Sequence, residues 1–253
     1  MDLRGIYLVP EGVPADRALA GNAPGRGPDA AAAIDKLLDG LAVGTPAEYD
    51  RIPKIWEEAI AAGRRNDANE LVRVLDLSLP KEGQPLADWQ AVVIGGGVIN
   101  GISQQNVWPR ARIARLLSDY PRLQAEWKHT MALATNMADD PAVATGTRYD
   151  ALRILGLGKW EPQGRHLVKY LDKDADDELN MGAVSGLSDI DSPAVADALI
   201  AAFVDLNADN RRLAGEALLR TEERAKAFKA AIDTGAVPRD ALGPEVVEQL
   251  EAK

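Results

Sequence analysis

The sequence predicts an all-α fold: a HEAT/armadillo-like α-solenoid of stacked antiparallel helix pairs with an extended N-terminal arm. An alanine-led apolar segment recurs at residues 151–155, 183–187 and 214–218, at spacings of 32 and 31 residues. Each copy is followed by a short break and a second helical pattern, as in HEAT and armadillo repeats. Alanine and leucine fill the apolar positions while aromatic residues make up 5% of the chain, a composition that favours helix packing over sheets.

The pattern divides the chain into three parts. Residues 1–28 carry four prolines among several glycines, which prevents a regular helix and predicts an extended arm. Residues 29–144 are expected to form N-terminal helical pairs, and residues 145–253 the regular HEAT-like repeats, ending in a capping helix over 244–250. The arm and this charged last helix would cover the two ends of the stack.

In the N-terminal part, apolar spacing predicts helices over 30–41, 53–62, 67–79, 110–117 and 121–137, with another that opens at Pro85 and runs into the glycines at 95–97. Every proline is predicted to lie at a helix boundary. We interpret Gly95, Gly96 and Gly97 as positions where a neighbouring helix approaches closely, because no strand precedes them and no Gly-Lys-Ser/Thr follows.

In the repeats, the second helices are predicted over 164–171, 193–204 and 222–232. Ser192 and Thr221 stand directly before two of them and are predicted to be N-caps, since a hydroxyl oxygen can accept a bond from a free amide of the first turn.

Charge and composition exclude several classes of function. The chain has 39 acidic and 29 basic residues, a formal charge of −10, which repels nucleic acid and anionic lipid. It contains no cysteine, which excludes disulfides, thiolate metal sites and covalent haem attachment on this chain. No apolar stretch is long enough to span a bilayer, so membrane insertion is not expected. No cofactor is predicted.

Polar residues near the start of the repeats are the candidate binding site. Asn100, His129, Arg148, Tyr149 and Asp150 would surround a pocket where the glycine-bearing helix meets the first repeat, as in a small-ligand binder or an enzyme. The alternative for the charged residues is a structural one. Arginines of helical repeats, here including Arg148, Arg220 and Arg224, often form ladders of ion pairs between repeats.

An acidic run is the weak candidate for a metal site. Asp172, Asp174 and Asp176 alternate as in the opening of a calcium loop, but Asp177 and Ala183 stand where such a loop requires glycine and glutamate. A solvated loop between repeats is therefore favoured, and no metal is predicted. No nucleophile motif such as Gly-x-Ser-x-Gly is present, so the chain is not expected to be an enzyme.

Residues 89–103, 148–153 and 178–187 resemble the helical-repeat segment of large exported planctomycete-type proteins, in which it accompanies a propeller-type dehydrogenase domain and a c-type haem domain. Residues 227–238 are similar to the helix and Gly-x-x-Pro turn that precede the haem module. The resemblance implies a non-catalytic scaffold or protein-interaction module, whose partner is another protein or neighbouring domains. It also implies a periplasmic or extracellular location; a native start at Met1 would instead suggest the cytoplasm. The oligomeric state and the partner's identity stay open.

Overall fold

The computed structural model of the chain describes residues 29–42, 44–78, 87, 89–105 and 107–251. Within these ranges every regular element is helical and no strand occurs, which confirms the all-α, HEAT-like class. The predicted arm, residues 1–28, lies outside the described residues. The chain forms two compact units, Met1–Met137 and Ala138–Lys253.

The first unit is built from six helices of its described residues. They are α1 (Ala30–Leu38), α2 (Pro46–Arg65), α3 (Ala68–Asp76), α4 (Gln90–Ser103), α5 (Pro109–Ser118) and α6 (Pro121–Asp139), the last of which runs just beyond the unit. None of the helices among the described residues of the chain is both long enough and apolar enough to cross a membrane.

The core of the first unit is the crossing of α2 and α4. A Cβ atom built on Gly97 would lie 2.8 Å from the Cβ of Ala59, and one built on Gly101 would lie 2.7 Å from the Cα of Gly63. Small residues spaced four apart on both helices therefore let the two backbones approach each other directly. This confirms the predicted close approach at Gly97 and shows that the helix continues through the glycines.

Pro53 lies inside α2, so the prediction that every proline marks a helix boundary is wrong. The turns before Pro53 are held by Glu48, which is 4% exposed. Its carboxylate accepts hydrogen bonds from Gly44 N at 2.6 Å and from Trp89 Nε1 at 2.5 Å. The local bond from Gly44 and the tertiary bond from Trp89 together stabilise a first segment of helix that the internal proline disfavours.

The second unit is a succession of helix pairs. Its elements are α7 (Thr145–Leu155), a π-helical turn (Trp160–Gly164), α8 (Arg165–Val168), a 3-10 turn (Lys169–Leu171), α9 (Asp177–Ser188), α10 (Ala194–Ala202), α11 (Ala208–Leu218), α12 (Glu222–Asp233), a 3-10 turn (Arg239–Ala241) and α13 (Pro244–Glu251).

The stacking of these helices follows the sequence period. The first helices pack in order, α7 on α9 and α9 on α11, while the second helices α10 and α12 pack on each other. The fully buried rings of Phe203 and Phe228 lie 5.5 Å apart between the second helices. At the end of the unit, α13 packs on α11 and buries Val246 against Gly215. The alanine-led segments are thus the first helices of consecutive repeats, as predicted.

One of the two predicted N-caps is confirmed. Thr221 Oγ1 accepts a hydrogen bond from Arg224 N at 3.3 Å at the start of α12. The prediction for Ser192 is wrong, because α10 begins one residue later, with Pro193 at the N-cap position and no side-chain cap bond.

Candidate ligand-binding groove

A groove of about 660 Å³ opens on the first unit. Its walls come from three separate segments: the first turns of α1, the last turns of α3, and residues 119–123, where α5 gives way to α6. The most buried residues of the lining form the floor of the groove. They are apolar: Ala31, Leu77 and Leu123, which are 8%, 7% and 6% exposed. Tyr120 stands beside this floor with 41% of its surface exposed.

Charged side chains surround the apolar floor. Three carboxylates, those of Asp35, Asp76 and Asp119, and two guanidinium groups, those of Arg73 and Arg122, belong to the lining.

Arg73 is also bound from outside the groove. Its Nη1 lies 2.5 Å from Asp29 Oδ2. This hydrogen bond is the main reason why the pKa of Asp29 is lowered. The other oxygen of Asp29 accepts from Ala31 N at 3.1 Å and so caps α1. Asp29 thus ties the wall formed by α3 to the first turn of α1.

A buried carboxylate holds the groove walls in position. Glu70 on α3 is 7% exposed and accepts hydrogen bonds from Arg65 Nε at 2.8 Å and Arg65 Nη2 at 2.7 Å. Glu70 Oε1 also accepts from Ala30 N at 3.1 Å. The bonds from Arg65, outweighing the opposing effect of burial, lower the pKa of Glu70. One side chain therefore joins α3 to the end of α2 and to the start of α1.

Two of the predicted binding residues belong to the first unit, and neither lines this groove. Asn100 is half-buried in α4, where its Oδ1 accepts a hydrogen bond from Gln104 Nε2 at 3.2 Å. His129 is exposed on α6. The other three lie in α7 of the second unit. There Arg148 Nε donates to Ala138 O at 2.9 Å, while Tyr149 and Asp150 are buried. The pocket proposed around these five residues stays a prediction.

Carboxylates of the acidic run in the second unit accept hydrogen bonds from backbone amides. Asp172 Oδ1 accepts from Asp174 N at 2.9 Å, and Asp176 Oδ1 accepts from Glu178 N at 2.9 Å, which caps α9. Such bonds are typical of turns and helix starts. Across the described ranges, no group of three or more acidic, histidine or cysteine residues is arranged to hold a metal ion.

A ladder of charged groups connects the repeats of the second unit. Asp189, 1% exposed, accepts from Arg153 Nη2 at 2.9 Å and from Arg220 Nη1 at 2.6 Å. Arg224 donates to Ser188 O at 3.1 Å, and its pKa is lowered to about 10 by burial and by the charge of Arg220. The predicted ion pairing of arginines between repeats is confirmed at Arg220. No pattern in the sequence indicates Asp189 as the shared partner of the two arginines.

A second cluster that the sequence did not reveal joins His166, Asp139 and Tyr170. Asp139 Oδ1 lies 2.8 Å from His166 Nε2 and accepts a hydrogen bond from Tyr170 Oη at 2.5 Å. Burial opposes ionisation of Asp139, but these two bonds outweigh it and the pKa of Asp139 is lowered. His166 and Tyr170 are four residues apart and stack with ring centroids at 6.1 Å, whereas Asp139 is 27 residues before His166.

We expect the second unit to lose stability between pH 10 and pH 12. Burial raises the pKa of Tyr149 to about 12, and burial together with Asp139 raises the pKa of Tyr170 to about 12. An unfolded tyrosine ionises near pH 10, so the stabilisation is complete below that pH and is lost as the pH rises through the folded values. Arg224, whose pKa is lowered to about 10, has the opposite effect, because above that pH the unfolded chain binds the proton that the folded chain has released. Melting temperatures followed by circular dichroism across this range should therefore fall, since two tyrosines oppose one arginine.

Tyr149→Phe and Tyr170→Phe should each flatten this alkaline decline, while Tyr49→Phe, at a side chain that is 66% exposed, serves as the control. An equally steep decline in the double variant Tyr149→Phe/Tyr170→Phe would contradict the assignment.

The chain has few detectable similarities to known proteins. No known protein family matches the chain, and no curated protein does. Among solved structures, the chain is similar to human deoxyhypusine hydroxylase in complex with glycerol, at 16% sequence identity and a TM-score of 0.38, over 88% of this chain and 95% of that chain.

This comparison corrects three expectations from the sequence. The structure it finds is that of a hydroxylase, and not of a planctomycete-type dehydrogenase or haem-domain protein, so the family resemblance is wrong. The non-catalytic scaffold was implied by that resemblance and is corrected with it, as is the expectation that the chain is not an enzyme: the similar structure is that of an enzyme, and no comparison supports a scaffold. A likeness this distant assigns no reaction to the chain. The location implied by the resemblance stays a prediction.

Proposed function

We propose that this protein binds a small molecule with an apolar body in the groove of the first unit. The observation that carries the proposal is a cavity of about 660 Å³ with an apolar floor and a charged rim. Small-molecule sites are typically clefts of roughly 300–1,000 Å³, lined by apolar groups with a few polar ones that orient the ligand. The proposal keeps the small-ligand alternative from the sequence and places it away from Asn100, His129, Tyr149 and Asp150.

The bonding around the groove supports this function. Glu70 fixes α3 against α1 and α2 through one buried and two partly buried hydrogen bonds, and Asp29 ties Arg73 to the start of α1. A groove whose walls are already in place loses less conformational entropy when a ligand enters, which favours binding. The formal charge of −10 supports the absence of a nucleic-acid ligand. A protein partner is not part of the proposal.

A neutral aromatic probe tests the proposal. We expect 3-phenylpropan-1-ol, titrated into ¹⁵N-labelled protein, to shift the amide resonances of Ala31, Val72, Leu77 and Leu123 in a saturable way. For a molecule of this size a dissociation constant on the order of 1 mM, or about −4 kcal/mol, is a reasonable expectation.

A blocking variant shows whether the probe lies in the groove. Ala32 is an exposed residue of the lining, so Ala32→Trp should fill the groove without disturbing the core and should abolish saturable binding. Ala132→Trp, at an exposed position of α6 outside the lining, is the matched control and should bind like the original protein. Unchanged binding in Ala32→Trp, or no saturable shifts in the original protein, would refute the proposal.

A further inference from the structure

The charges around the groove indicate the class of ligand that it takes. The lining contains three carboxylates, those of Asp35, Asp76 and Asp119, and two guanidinium groups, those of Arg73 and Arg122. The charge of Arg73 is offset by Asp29, at 2.5 Å from its Nη1 and outside the lining. The groove therefore has an excess of negative charge, which favours a cationic ligand.

The three carboxylates come from different elements. Asp35 is in α1, Asp76 is the last residue of α3, and Asp119 is the C-cap of α5. All three residues are exposed to solvent. A cation bound over the floor would meet negative charge from more than one wall.

A metal ion fits these observations less well than an organic cation. Within the part of the chain that the structure describes, the carboxylates of the groove do not form a group of three that could hold a metal. The floor, formed by Ala31, Leu77 and Leu123, offers apolar contacts that a hydrated metal ion would not use. The exposed ring of Tyr120 can face an ammonium group and attract it through its π electrons.

We propose that the ligand of this groove is a small organic cation, an amine with an apolar body, whose ammonium group is held by the carboxylates of Asp76 and Asp119 and by the ring of Tyr120. The proposal rests on the proposed function, since it assigns the ligand class of the same groove. Arg122 favours the opposite charge, and its presence makes the comparison of cation with anion the decisive measurement.

Three probes with the same apolar body separate charge from shape. They are 3-phenylpropan-1-amine, 3-phenylpropan-1-ol and 3-phenylpropanoate, titrated at neutral pH and low salt with the same amide resonances as readout. We expect the amine to bind about fivefold to tenfold more tightly than the alcohol, and the carboxylate to bind more weakly than the alcohol. Added salt should reduce the amine's advantage, because the carboxylates are exposed and screened.

The double variant Asp76→Asn/Asp119→Asn should bind the amine no more tightly than the alcohol, while its affinity for the alcohol stays unchanged. Asp50→Asn, at an exposed aspartate of α2 outside the lining, is the matched control and should keep the amine's advantage.

The outcomes distinguish the two proposals. If the alcohol binds in the groove but the amine binds no more tightly, or the carboxylate binds best, the cation assignment is overturned and the groove remains a ligand site. If the amine keeps its advantage in the double variant, these carboxylates do not hold it and the assignment is likewise overturned. If none of the three probes binds, the proposed function fails, and the cation assignment fails with it.

Discussion

Asp189→Asn is expected to lower the free energy of unfolding of the second unit by about 3–5 kcal/mol, the usual cost of removing one partner from a buried ion pair. Asp189 is 1% exposed, and its two oxygens accept from Arg153 and Arg220 at 2.9 and 2.6 Å. The substitution keeps the shape of the side chain but removes the negative charge that both guanidinium groups share. Urea unfolding followed by circular dichroism measures the loss.

The neighbouring Asp191 provides the control for this prediction. It is exposed two positions further along the chain, so Asp191→Asn should change stability by no more than about 0.5 kcal/mol. The double variant Arg153→Met/Asp189→Leu replaces the buried pair with apolar groups and should recover part of the stability lost in Asp189→Asn. A loss in Asp189→Asn as small as that in Asp191→Asn would show that the buried charge of Asp189 contributes nothing.

Gly101→Ala is expected to destabilise the first unit by about 3 kcal/mol, the upper part of the usual range for overpacking a core. The added Cβ would meet the carbonyl oxygen of Ile60 and would lie 2.7 Å from the Cα of Gly63 and 2.8 Å from Arg64 N. These are backbone atoms, which cannot rotate away as a flexible side chain could. The helices α2 and α4 must therefore separate along their crossing.

A glycine-to-alanine substitution at a position with room for the Cβ is expected to raise the free energy of unfolding instead of lowering it. A Cβ on Gly146, in the first turn of α7, would meet only Glu178 Oε1, at 3.5 Å. Gly146→Ala should therefore stabilise the second unit by up to about 1 kcal/mol through helix propensity. The free energy of unfolding of both variants, from urea denaturation, checks the pair. Equal effects at the two positions would refute the role assigned to the crossing of α2 and α4.

The helical repeats could be predicted because their signals are local. Ala151, Ala183 and Ala214 mark helices that pack in order, and Thr221 caps the helix that follows it. Helical periodicity and capping depend on residues a few positions apart, and a repeat period can be counted along the chain, so a single sequence displays both directly. Ser192 shows the limit of this approach, since a shift of one residue in where α10 begins removes its capping role.

The candidate site could not be predicted in the same way. The residues that the sequence indicates, such as Asn100 and His129, are polar side chains near the predicted start of the repeats, whereas the groove carries no motif at all. Its lining joins residues near 31–35, 72–77 and 119–123. No spacing rule connects segments so far apart, and the apolar floor is indistinguishable in sequence from ordinary helix packing.

By itself, then, the sequence determined the all-helical class, the period of the helices in the second half and the negative charge of the chain, because each depends on a pattern along the chain or on composition. Tertiary structure alone decided which groups meet across elements. Examples are Glu48 bonded to Trp89, Gly101 against Gly63, and Asp189 shared by two arginines. It also decided the groove. The physical reason is the same in each case. Packing and burial determine which side chains become partners, and the number of residues that separate two side chains along the chain does not.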